Sequence, residues 1–155
     1  MNDAAGKPDT QDIVVDEVFP HAPETIWKTL TTGDLIDRWL MKSTGFEPVE
    51  GTRFTLQTTP AGAWDGVIHC EVLEVVPNER LSYSWRGGHD GNAEYGSRLA
   101  TIVTWTLAKV GGGTRLRVVH SGFVLPKNAT TLRNLREGWK QVVGKIGAIS
   151  GGHAH

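Results

Sequence analysis

From residue 53 onward the chain falls into a two-residue rhythm that decides what it can fold into. Phe54 and Leu56 alternate with Arg53, Thr55 and Gln57. Leu81, Tyr83 and Trp85 alternate with Ser82 and Ser84, and Leu116 and Val118 with Arg115 and Arg117. Successive side chains of a strand point to opposite faces, so each of these segments has one apolar and one polar face. A Pro-Asn pair at 77–78 and the glycines Gly111–Gly113 sit where consecutive segments must reverse, which predicts antiparallel hairpins. A sheet made of such hairpins has an apolar face that needs a cover. The cover lies at the end of the chain: in "NATTLRNLREGWKQVVGKIGAIS", Leu135, Trp139, Val142, Ile146 and Ile149 fall on one helical stripe.

The segment before the alternation reads as one strand and two helices. Ile13, Val15, Val18 and Phe19 mark the strand, and Pro23 suits the first turn of a helix carrying Ile26, Trp27 and Leu30. "GDLIDRWLM" is a second, short helix with Leu35 and Trp39. The expected fold is therefore α+β: a curved antiparallel sheet of about six strands around a long C-terminal helix, with two short helices between strands 1 and 2. Residues 12–150 form one domain, residues 1–11 a disordered lead-in and residues 151–155 a frayed tail. Between 67 and 76 two phases compete, Ile68, Cys70 and Val72 against Val67, Leu73 and Val75. A bulge near Glu71 reconciles them.

Charge and composition exclude several classes. A net charge of -1 offers no basic surface for nucleic acid or anionic lipid. No apolar run is long enough for a membrane span, and "MNDAAGKPDTQD" has no signal core, so a cytoplasmic protein is expected. A single cysteine, Cys70, cannot form an internal disulfide and sits among apolar neighbours, as a core residue would. His21, His69 and His89 lack ligand spacing, and His153 and His155 stand on the tail without further ligands; no metal site and no cofactor are expected. The "NAT" at 128–130 matches a glycosylation acceptor, which has no use in a cytosolic chain.

The apolar face of "RLRVVHSGF" ends in a titratable ring, His120, followed by Ser121 and Gly122. Three readings are open. His120 is a buried neutral histidine bonded to its surroundings, the polar anchor of an otherwise apolar pocket, or a general acid/base. A reaction would need two or more convergent polar groups, and the further nominees are Tyr83, Asp65 and Glu74. Binding without catalysis is the expectation, and no catalytic residue is assigned. The loop "RGGHDGNAEYGSR" at 86–98 has glycine hinges at Gly87, Gly88, Gly91 and Gly96. The loop is expected to be mobile at the cavity mouth, with Tyr95 the ring that would close over a ligand; the alternative is an inert long hairpin loop.

Four stretches carry a family resemblance: "VFPHAPETIWKTLTT", "EVLEVVPNERLSYSW", "VTWTLAKVGGGTRLRVVHSGF" and "EGWKQVV". In that order the chain resembles the activator-of-heat-shock-protein-90-ATPase-like family of the START-like, SRPBCC superfamily, from about Val14 to Ile149. The resemblance implies the helix-grip fold and a hydrophobic cavity between sheet and terminal helix, used in the superfamily for lipids, polyketides and other apolar ligands. It implies a small apolar or amphipathic ligand as partner. The alternatives are a cavity enzyme of the polyketide cyclase or hydrolase type and an interaction module for a chaperone. The residues that alternation and helical spacing send inward are Trp39, Phe54, Leu56, Tyr83, Trp85, Val103, Trp105, Val118, His120 and Trp139. These are the expected ligand-lining set.

Overall fold

A computed structural model describes residues 9–152. The elements follow in the order β1 (Asp9–Phe19), α1 (Pro23–Thr31), α2 (Gly33–Trp39), β2 (Lys42–Thr44), β3 (Arg53–Gln57), β4 (Val67–Val76), β5 (Arg80–Gly87), β6 (Leu99–Val110), β7 (Gly113–Leu125) and α3 (Ala129–Gly152). One antiparallel sheet of seven strands has the spatial order β1-β7-β6-β5-β4-β3-β2. Every neighbour except the β1–β7 pair is also a neighbour in sequence, as hairpin chemistry requires. The first strand closes the far edge. Helix α3 lies across the inner face and packs on β1, β7, α1 and α2.

Seven strands replace the expected six because β2 has three residues, too few for alternation to register. Residues 9–11, expected in a disordered lead-in, are strand: Asp9, Thr10 and Gln11 pair with Leu125, Val124 and Phe123. Strand β7 is 13 residues long, and its last backbone groups need a partner that only β1 supplies. Residues 1–8 of that lead-in lie outside the described residues. Gly151 and Gly152, expected to fray, continue α3, and Gly151 packs beside the His21 ring. Residues 153–155 also lie outside the described residues.

The ambiguous strand resolves by a bulge. The β4–β5 register shifts between Val72 and Glu74, so Leu73 is the extra residue and points to solvent, while Ile68, Cys70 and Val72 are buried. Asn78 takes a left-handed φ of 67° at the turn that joins these strands, a conformation asparagine tolerates. The buried stripe of α3 is Leu132, Trp139, Val143, Ile146, Gly147 and Ser150; Leu135, Val142 and Ile149 are only partly buried. Phe19 explains the phase. Its ring lies directly on Gly147, where any Cβ would collide with it, so the helix is turned to present that glycine to β1.

Candidate functional site

All ten residues of the expected lining set are buried. Trp85 lines the apolar cavity described below; the others pack on one another, and Phe54 also borders an open groove over β3 and β4. Trp39, Trp105, Trp139 and Trp85 form a continuous chain of rings with centroids 5.5, 5.6 and 5.8 Å apart. Phe54 stands edge-on to Tyr83 at 5.4 Å, and Leu56, Val103 and Val118 fill the gaps in the same core. Where a ligand was expected, the protein has placed its own rings. Such edge-to-face pairs add about 0.5–1.5 kcal/mol each beyond the area they bury. The polar atoms of these rings are also used internally: Trp39 Nε1 donates to the Thr29 carbonyl at 2.9 Å, and Trp105 Nε1 donates to the Tyr83 hydroxyl at 3.0 Å.

His120 follows the same rule. Trp139 Nε1 donates to its Nδ1 at 3.0 Å, which fixes the ring proton on Nε2. Nε2 lies 2.7 Å from Thr101 Oγ1 and donates to it, and that hydroxyl in turn donates to the Trp85 carbonyl at 3.0 Å. The ring is sandwiched by Trp85 and Phe123, with centroids at 5.0 and 4.6 Å. Burial pushes its pKa down to about 3, so the imidazole is neutral at physiological pH. Both nitrogens are occupied, which leaves neither a lone pair for a base nor a donor for a ligand. Of the three readings, the buried neutral histidine is the one the geometry matches.

The proposed catalytic partners do not assemble either. Asp65 is exposed and accepts the Val67 amide at 3.0 Å, and Glu74 pairs with Arg80 at 2.8 Å. Tyr83 is buried against Phe54 and Trp105, with its phenol pKa pushed up by desolvation. Cys70 is buried as well, its thiol pushed up to about 12 by the same cause. Among the described residues no three His, Cys, Asp or Glu side chains gather in a metal-holding group, and no helix is long and apolar enough to cross a membrane.

Free space does exist one step further along the sheet. An apolar cavity of about 100 Å³ lies between the ends of β3–β6 and the first turns of α3. Ile68, Leu99 and Trp85 form its floor, Leu135 and Met41 its sides, and Trp64 and Tyr95 its outer wall. Trp85 is the one member of the expected set that reaches it. Its other side backs onto His120, so the histidine network holds the cavity floor in place. Thr58, Thr131 and Asn134 supply polar atoms, and no charged side chain lines the space. Loop 86–98 borders the cavity as its glycines and Tyr95 suggested. It is pinned: Asn128, itself buried, donates from Nδ2 to Ser97 Oγ at 3.0 Å and to the Arg98 carbonyl at 2.9 Å. Trp64 and Met41 escaped the sequence reading because they stand outside any periodic segment. Clustered aromatic residues in loops flanking a hairpin were the available signal.

The profile of one family, activator of Hsp90 ATPase homolog 1-like protein, matches residues 20–151. The chain belongs to this family. The crystal structure of protein MLL2253 from Mesorhizobium loti is 38% identical, superposes with a TM-score of 0.77, and is matched over 89% of this chain and 95% of that one. The BH1534 protein of Bacillus halodurans is 23% identical, with a TM-score of 0.71 over 90% and 96% of the two chains. The Aha1 dimer from Colwellia psychrerythraea is 18% identical, with a TM-score of 0.67 over 88% and 92%. No curated protein sequence matches. In this family member, then, the grip of sheet on helix is complete at its centre, and the opening is at the end where β3–β4 and β5–β6 turn.

Proposed function

We propose that this activator-of-Hsp90-ATPase-like domain binds a small, uncharged apolar or amphipathic molecule in the cavity floored by Trp85 and walled by Trp64, Tyr95 and Leu135. The observation that carries the reading is the lining itself: mainly aromatic and aliphatic, polar at Thr58, Thr131 and Asn134, and free of charged side chains. Apolar pockets with a few polar groups are the usual form of a small-molecule site. A carboxylate or phosphate would meet no cation there and would lose its hydration. Catalysis is not part of the proposal, because His120, Tyr83, Asp65 and Glu74 stay apart and the cavity holds no acid or base.

The test is a thermal-denaturation titration with benzene and with phenylnaphthylamine, a neutral three-ring fluorophore, on the native protein and on Leu135→Trp, which fills the cavity. A ligand held at ten times its Kd raises the unfolding free energy by about 1.4 kcal/mol. Stabilisation of the native protein and none of the Leu135→Trp protein is expected. Equal stabilisation of both would place the molecule elsewhere and overturn the assignment.

A further inference from the structure

One side of the mouth of this cavity is built from two loops that belong to different hairpins, residues 58–66 and 88–98. They hold each other. The Tyr95 hydroxyl donates to the Thr59 carbonyl at 2.8 Å, Asn92 Nδ2 donates to the Ala61 carbonyl at 2.8 Å, and the Tyr95 and Trp64 rings stand 6.0 Å apart. Each loop is also fixed to the body behind it: Trp64 Nε1 donates to the Val67 carbonyl at 3.1 Å, and the buried Asn128 amide holds Ser97 and Arg98. The rear anchors are buried or half-buried. The Tyr95–Thr59 bond is solvent-exposed, and Tyr95 retains 41% of its accessible surface. Of the contacts that hold this side of the mouth, the Tyr95 seam is therefore the weakest. Gly88 and Gly96, with φ of 84° and 83°, flank the segment that would carry Tyr95 outward.

Resting on the binding reading above, we propose that Tyr95 is a size-determining residue: its clasp on Thr59 stays shut over a single aromatic ring and must open for anything larger. The cavity holds about 100 Å³. An engineered cavity of about 150 Å³ in another protein has room for one benzene. A ligand of two or three fused or linked rings exceeds that volume, and on this proposal its excess projects between Trp64 and Tyr95, displacing the hydroxyl from Thr59.

This gives opposite signatures for the two ligand sizes. For an enclosed ligand the clasp is closed before and after binding, so deleting the hydroxyl leaves the affinity unchanged. For a projecting ligand the clasp is broken on binding, so deleting the hydroxyl in advance removes that cost. One neutral hydrogen bond corresponds to roughly a two- to tenfold change in such an equilibrium. A ring that merely packs, by contrast, would weaken both ligands or neither when its hydroxyl is removed.

The experiment compares the native protein with Tyr95→Phe and Asn92→Ala, following benzene by ligand-observed NMR and phenylnaphthylamine by stopped-flow fluorescence. In Tyr95→Phe the benzene Kd should stay within about twofold while the phenylnaphthylamine Kd falls about fivefold, with faster association. Asn92→Ala should move in the same direction. If phenylnaphthylamine binds the native protein, is lost in Leu135→Trp, and yet binds Tyr95→Phe no more tightly, the size rule is overturned and the site stands. If neither probe binds the native protein, or Leu135→Trp binds both as well, the site falls and the size rule with it.

Discussion

Acidification should weaken this fold through one ring. His120 has both nitrogens bonded inside the core, and burial holds its pKa at about 3 against an ordinary value of 6.5. In the unfolded chain the same imidazole takes up a proton near pH 6.5, so below that pH the unfolded state binds more protons than the folded one. The folded-state pKa is depressed; its stabilisation is complete above about pH 6.5 and is lost as the pH falls toward about 3. Each pH unit in that window corresponds to about 1.4 kcal/mol. Between pH 7 and pH 5 the loss attributable to His120 is about 2 kcal/mol, a range in which ordinary carboxylates stay ionised. Urea unfolding followed at pH 7, 6 and 5 measures it, since a slope of about 2 kcal/mol per molar urea turns that loss into a midpoint shift of about 1 M. The comparison is His120→Gln, whose amide accepts from Trp139 and donates to Thr101 but does not titrate. The variant is expected to be less stable at pH 7, because its shape fits the sandwich between Trp85 and Phe123 poorly, and to show a shallower pH dependence by about 2 kcal/mol over the same interval. Parallel pH profiles for the two proteins would refute the assignment of a neutral buried imidazole.

Helix α3 offers a paired test of its phase. Gly147→Ala sets a methyl against the Phe19 ring and should cost about 1–3 kcal/mol. Gly144→Ala meets nothing within 4 Å and should gain up to about 1 kcal/mol from helix propensity, both read from chemical denaturation. Asn128→Ala leaves the Val124 amide and the Arg98 carbonyl without this partner, both bonds being half-buried, and should cost about 1–3 kcal/mol. Amide exchange across residues 88–98 should quicken in that variant more than in the sheet. Cys70, buried and with its thiol pushed up to about 12, should resist disulfide-exchange reagents in the native protein and react at once in denaturant.

Much of the architecture was readable before any coordinates because it depends on local chemistry. Alternation located β3 to β7, the Pro77–Asn78 and Gly111 turns located two reversals, and a competing pattern in β4 announced the bulge two residues from where it lies. The direction of His120 was equally legible, since Leu116 and Val118 fix the face it shares. What escaped was volume. Whether inward-facing rings surround a space or fill it depends on how strands 20 or more residues apart approach one another, and Trp39, Trp105, Trp139 and Trp85 fill it. The cavity moved to residues contributed by loops, such as Trp64 and Tyr95, which carry no period to read. Asn128 is the sharpest instance: as part of "NAT" it looked like an idle surface signal, and it is a buried clamp between α3, β7 and the loop beside the cavity.

The chain of four indoles has an optical consequence. Rings whose centroids lie 5.5–5.8 Å apart at large tilt angles do not absorb independently; their transition dipoles mix, and excitation spreads along the row. Trp85 is the last link of that row and also the floor of the cavity. A molecule resting on it would perturb the near-ultraviolet circular dichroism of Trp39, at the far end, without touching it. The domain thus carries its own label-free antenna, with the cavity at one terminal.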